Sequence, residues 1–139
     1  MRAIVYNVLP EDSMKIRKEV FVSEQGFVDE FDEIDGISSH ILIFDGDLPV
    51  ATCRVFPSEN KGEFHIGRLA VIKTYRRLGV GKRILGEAEA HILAQGGTRI
   101  TLHSQCSARE FYEKCGYTPF GELEYEQGCP HIGMEKLLP

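Results

Sequence analysis

The ten residues from Tyr75 to Ile84, YRRLGVGKRI, set Arg76, Arg77, Lys82 and Arg83 around two glycines, Gly79 and Gly81. A guanidinium binds phosphate through two parallel hydrogen bonds, and glycine lets an anion approach the main chain closely. The run lies between an apolar stretch ending near Val71 and a helical pattern starting near Leu78. A helix start exposes unpaired amides and the positive end of the dipole, so a pyrophosphate would sit well here. Two familiar phosphate loops do not fit. A P-loop needs glycine where Arg76 stands and serine or threonine where Arg83 stands. The dinucleotide fingerprint needs glycine at Ile84, and it belongs to a parallel βαβ unit.

The remaining reactive residue types are dispersed. Cys53, Cys106, Cys115 and Cys129 form no C-x-x-C pair, so neither zinc nor redox spacing is present and free thiols are expected. Nothing in the pattern suggests a metal. Cys106, near a helix start, has no Cys-His-Asn constellation to activate it and reads as inert. His65 and His131 carry imidazoles suited to proton exchange near neutrality. The net charge of −5 argues against nucleic acid, and against that background the basic run favours a small anionic ligand.

These groups need elements to position them. The 139 residues, with 42% apolar and 27% charged, suit one globular domain spanning 1–139. No apolar run reaches ~20 residues and no signal peptide is evident, so a cytoplasmic location without membrane association is expected. AIVYNVL (3–9) reads as a strand. Pro10, Asp12 and Ser13 open a helix whose apolar face carries Met14, Ile16, Val20 and Phe21. The acidic stretch 26–39 reads as a loop with at most a short helix. HILIFDGDLPVATCRVF (40–56) is a hairpin about Asp45-Gly46-Asp47, and a third strand follows at 63–72. Ile84, Leu85, Ala88, Ile92 and Leu93 line one side of a helix ending at Gly96-Gly97. A strand at 98–104 precedes a short helix with Ser107 and Glu110 as a capping box and Gly116 as its stop. Two last strands complete the order β-α-β-β-β-α-β-α-β-β: an α+β fold whose mixed, mostly antiparallel sheet of six to seven strands is flanked by helices.

The pattern R-x-x-G-x-G (Arg76, Gly79, Gly81) directly follows GRLAV (67–71), and AREFYEKCGY (108–117) lies beyond the next strand. Together with the element order, this resembles the GNAT superfamily of acyl-CoA-dependent N-acetyltransferases along nearly the whole chain. RKEVFVSEQGF (17–27) and GCPHIGM (128–134) look like the small bacterial ElaA-like branch.

The resemblance implies acetyl-CoA as co-substrate and direct attack of a primary amine on its thioester. It implies that pantetheine lies along Leu69, Ala70 and Val71, with an amide near Val71 polarising the thioester carbonyl. The motif then assigns the pyrophosphate to the loop of Arg76, Arg77, Leu78, Gly79, Val80, Gly81 and Lys82, and cofactor contacts to His103, Phe111 and Tyr112. Many relatives have asparagine where His103 stands. Tyr112 matches the tyrosine of the A-x-x-x-Y pattern and is the expected general acid; the alternative is a tyrosine merely half-buried beside Phe111. Glu24, His65, His103 and His131 are candidate bases, with Glu24 and Glu63 also readable as solvated carboxylates. Arg54 and Arg68 either hold an acceptor carboxylate or pair with the acidic segment 29–35. The acceptor expected is a small-molecule or peptide amine, and a homodimer is the ordinary state for small enzymes. A silent acyl-CoA-binding module on the same fold is the other reading; a lactone-synthase-like enzyme, prompted by helix one alone, fits the loop less well.

Overall fold

The structure is a computed structural model that describes residues 1–27 and 31–139. In chain order it runs β1 (Arg2–Tyr6), α1 (Glu11–Arg17), a π-helical continuation (Lys18–Glu24) and a 3-10 turn (Glu33–Ile37). There follow β2 (Ser39–Asp45), β3 (Leu48–Pro57), β4 (Glu63–Val71), a 3-10 turn (Lys73–Tyr75) and α2 (Val80–Ala94). The chain closes with β5 (Arg99–Gln105), a 3-10 turn (Cys106–Ala108), α3 (Arg109–Lys114), β6 (Thr118–Glu126) and β7 (Cys129–Leu137). The strands form one seven-stranded sheet in the order β1-β2-β3-β4-β5-β7-β6. Only β4 and β5 pair in parallel.

Helices cover both faces because the strand period of two sends alternate side chains to opposite sides. In β2, Ile41 and Ile43 are buried with Ile84, Leu85, Ala88 and Ile92 of α2. Leu42 and Phe44 are buried with Ile16 and Val20 of α1. Each large side chain so buried contributes roughly 1.5–3 kcal/mol, so tertiary packing holds the helices more than propensity does.

Several local expectations are corrected. The first strand stops at Tyr6, whose pair His40 lies one residue from the start of β2 at Ser39. Leu93 is 48% exposed; a rotation of ~100° beyond Ile92 carries it to the solvent side of α2. The Ser107–Glu110 box does not form: residues 106–108 make a 3-10 turn, and Ala108 caps α3 with no side-chain bond. The capping box that does form is Asp32 with Asp35, heading the turn at Glu33–Ile37.

Candidate active site

The sheet opens where β4 meets β5. They pair through Glu63↔Arg99, Phe64↔Ile100 and His65↔Thr101, and no pair follows although β4 runs on to Val71 and β5 to Gln105. Arg99 clamps the closed end by pairing with both Glu63 and Glu135. The cause of the opening is legible in the β3–β4 register. Thr52 faces Ala70 but Arg54 faces Gly67, so two residues of β4, Arg68 and Leu69, oppose the single Cys53. This is a β-bulge, and it bends β4 away from β5. Arg68 takes a positive φ of 50° to make it. The resulting cleft, of about 800 Å³, has Leu69, Leu102, His103 and Tyr112 among its walls. Since the Ile72 amide bonds across to Val50 O at 3.0 Å, the alternation of the strand turns the Val71 amide the other way, toward the gap.

Beyond the outer end of β4 lies the basic loop. Arg77 and Gly79 both have positive φ, 63° and 81°, and α2 begins at Val80 with Gly79 as its cap. The first intrahelical bond is Arg83 N–H to Gly79 O at 3.0 Å. The amides of Val80, Gly81 and Lys82 therefore precede the helical ladder and present a concave set of donors. The two glycines act differently. At Gly79 the backbone sign demands glycine, with open space around it. At Gly81 a Cβ would stand 3.3 Å from Phe111 Cζ, so this glycine lets α2 approach α3. Leu78 is exposed and the Val80 side chain is buried in the core, which leaves their main chains for any ligand.

Arg76 is occupied. Its Nε donates to Val71 O at 2.9 Å, and its two Nη atoms donate to the Glu24 carboxylate at 2.9 and 2.8 Å. It braces the end of β4 against the π-helical turn. Glu24, a candidate base in the sequence, is thus engaged by Arg76. The Arg76 bonds hold its carboxyl below the usual range, and it does not line the cleft.

His65, His103 and His131 do share the cleft with Tyr112. His65 Nδ1 lies 3.1 Å from Thr101 Oγ1, and its ring meets His103 edge-on at 5.4 Å. Burial, assisted by the neighbouring His103, pushes its pKa down to about 4. His131 is buried on β7 with Nδ1 at 2.9 Å from Cys129 O. A carbonyl only accepts, so Nδ1 carries the proton there. Its Nε2 faces Glu126 Oε2 at 3.3 Å, and the other oxygen of Glu126 lies 3.6 Å from His103 Nδ1. Tyr112 is buried between the rings of Phe111 and Tyr117, at 5.0 and 5.9 Å. Burial raises its pKa, so the phenol holds its proton at neutral pH.

The acidic segment closes one wall, its residues 29 and 30 lying outside the described residues. Arg54 donates to Asp32 at 2.7 and 3.3 Å and to Asp35 at 3.1 Å. Arg17 donates to Asp35 at 2.7 and 3.1 Å, and Arg68 reaches Asp32 at 3.3 Å. Burial alone would raise the Asp35 carboxyl, but the Arg17 and Arg54 bonds outweigh it and bring it down to about 2. Arg54 and Arg68 line the cleft, yet their guanidiniums are engaged by this segment. The sequence reading missed Glu126. Its only signal is the alternation Glu122, Glu124, Glu126, which sends these carboxylates to one side of β6.

Residues 11–138 match the family model described as the acetyltransferase (GNAT) domain. A Bacillus subtilis (strain 168) protein assigned by name to the acetyltransferases is 40% identical over 129 residues, covering 89% of this chain and 86% of that one. A crystal structure from Lactobacillus plantarum, of a protein named for N-acetyltransferase activity, superposes with a TM-score of 0.91 at 30% identity, covering 99% and 98% of the two chains. Escherichia coli ElaA superposes with a TM-score of 0.85 at 27% identity over 97% of this chain and 98% of its own. Opened sheet, amide-lined helix start and sequence kinship agree: this chain belongs to the GNAT family of N-acetyltransferases.

Proposed function

We propose that the protein transfers an acetyl group from acetyl-CoA to a primary amine, the amine attacking the thioester carbon directly. One observation carries this reading: an unpaired β4 edge leads, through one 3-10 turn and the basic loop, to the unpaired amides at the head of α2. Acetyl-CoA supplies the activated carbonyl. The main chain of Leu69, Ala70 and Val71 grips the pantetheine as an added strand would, and the Val71 amide faces the thioester oxygen. The amides from Arg77 to Lys82 hold the pyrophosphate, with the charges of Arg77 and Lys82 beside it. Arg76 acts from behind, holding Val71 and the loop in register.

Two proton transfers follow. An alkylammonium has a pKa near 10 and must lose a proton before it can attack. His131 is the acceptor this geometry favours, since its Nδ1 proton is tied to Cys129 O and Nε2 faces the cleft group Glu126. Tyr112, kept protonated by burial, gives its proton to the departing sulfur. The test combines titration calorimetry with acetyl-CoA and thiol release across a panel of primary amines. Micromolar binding with amine-dependent release is expected. Native protein without affinity for acetyl-CoA would overturn the reading, and binding without release to any amine would support the silent module instead.

A further inference from the structure

The cleft contains a carboxylate that no guanidinium or ammonium of a described residue neutralises. Among its walls Asp32 is held by Arg54 and Arg68, and Glu63 is bonded by Arg99, Ser58 and Asn60. Among the described residues, the charge partners of Glu126 are the imidazoles of His131 and His103 alone. With the Nδ1 proton directed at Cys129 O, the neutral ring of His131 carries its acceptor lone pair on Nε2. Three acceptor atoms, Nε2 and the two carboxylate oxygens, thus lie together, and a primary ammonium has three N–H donors. Apolar side chains adjoin these groups: the Phe27 ring lies 6.5 Å from His131 and the Phe56 ring 5.1 Å from His65, with Ile34 also lining the cleft. Glu122 and Glu124 line a separate depression of about 80 Å³, shared with the other flank of His103 and His131.

We propose that Glu126 and His131 Nε2 form the seat of the acceptor's ammonium group, and that the acceptor is a singly charged primary amine on an apolar body. This deepens the acetyltransferase reading and rests on it. The seated ammonium passes one proton to Nε2. The neutral amine is then left to attack, and the imidazolium stays beside the Glu126 carboxylate.

The experiment titrates n-hexylammonium chloride into the native protein and into Glu126→Gln, reading the His131 ring by side-chain NMR. Acetyl-CoA binding is read separately at the Gly79 and Gly81 amides. The proposal expects hexylammonium to shift the His131 Nε2 signal in the native protein, with affinity at least about tenfold lower in the variant, the loss of one charge-assisted contact. It also expects 1,6-diaminohexane to bind no better than n-hexylammonium, because the other cleft carboxylates, Asp32 and Glu63, are already paired with Arg54, Arg68 and Arg99. An unmoved His131 ring, or an equal response in Glu126→Gln, overturns the seat. Tighter binding of the diamine overturns the singly charged acceptor. Failure of acetyl-CoA alone, with hexylammonium still bound, would sink the acetyltransferase reading and leave the seat standing.

Discussion

Tyr112 and His65 occupy one cleft, and burial acts on them with opposite consequences. It penalises the charged form of each, so the phenol keeps its proton and the imidazole refuses one. Tyr112 thus has a proton in place for the acid role proposed above, and Tyr112→Phe is expected to lower kcat about 10²–10⁴-fold, more than it weakens acetyl-CoA binding. Full turnover in the variant would remove Tyr112 as the acid. For His65 the sign follows from linkage. Its folded pKa of about 4 lies below the ordinary 6.5. Between those values the unfolded chain takes up a proton that the folded one does not, so stability falls as pH drops through this window. His65→Gln should flatten that slope in thermal melts between pH 6.5 and 4, and an unchanged slope would show that His65 is not the cause.

At the scale of elements, the β4–α2 connection depends on glycines with separate duties. Gly79→Ala forces a side chain into a left-handed conformation at about 1–2 kcal/mol, so it should lower the melting temperature and weaken acetyl-CoA binding together. Gly81→Ala meets only the tip of the Phe111 ring at 3.3 Å, so it should cost less on both measures. Calorimetry and melts on the pair decide this; equal or reversed losses would mean that the positive φ at Gly79 is not what shapes the loop. The loop is also held from behind, since Arg76 ties together Val71 and Glu24, 52 residues away in sequence.

The whole molecule is a sheet split along part of its length. Arg99 and three β4–β5 pairs hold one end, and α2 packs across the strands. A ligand lying in the opening would complete the sheet, so acetyl-CoA at a hundredfold excess over its Kd should add about 2.7 kcal/mol of stability. Hydrogen exchange should locate the protection at the β4 amides beyond His65 and in the loop from Arg77 to Lys82. Protection confined to other strands would contradict the added-strand geometry. No described helix is long and apolar enough to cross a membrane.

Local patterns carried much of this in the sequence. The apolar stripe of α2, the Asp45-Gly46 hairpin and the R-x-x-G-x-G loop depend on neighbours a few residues apart, where period and turn chemistry suffice. Leu93 and the Ser107–Glu110 box misled because exposure and 3-10 geometry are set by what packs above them. What only the tertiary structure decided are the long-range charge partners: Arg17 and Arg54 on Asp35, Arg76 on Glu24, and Glu126 beside His131. Glu126 reaches His131 only through the β6–β7 register, in which Glu124 stands opposite His131 and Glu126 opposite Cys129. A one-residue slip would turn that carboxylate to the other face. Residue types fixed what chemistry was available; strand register and the bulge in β4 chose which groups meet.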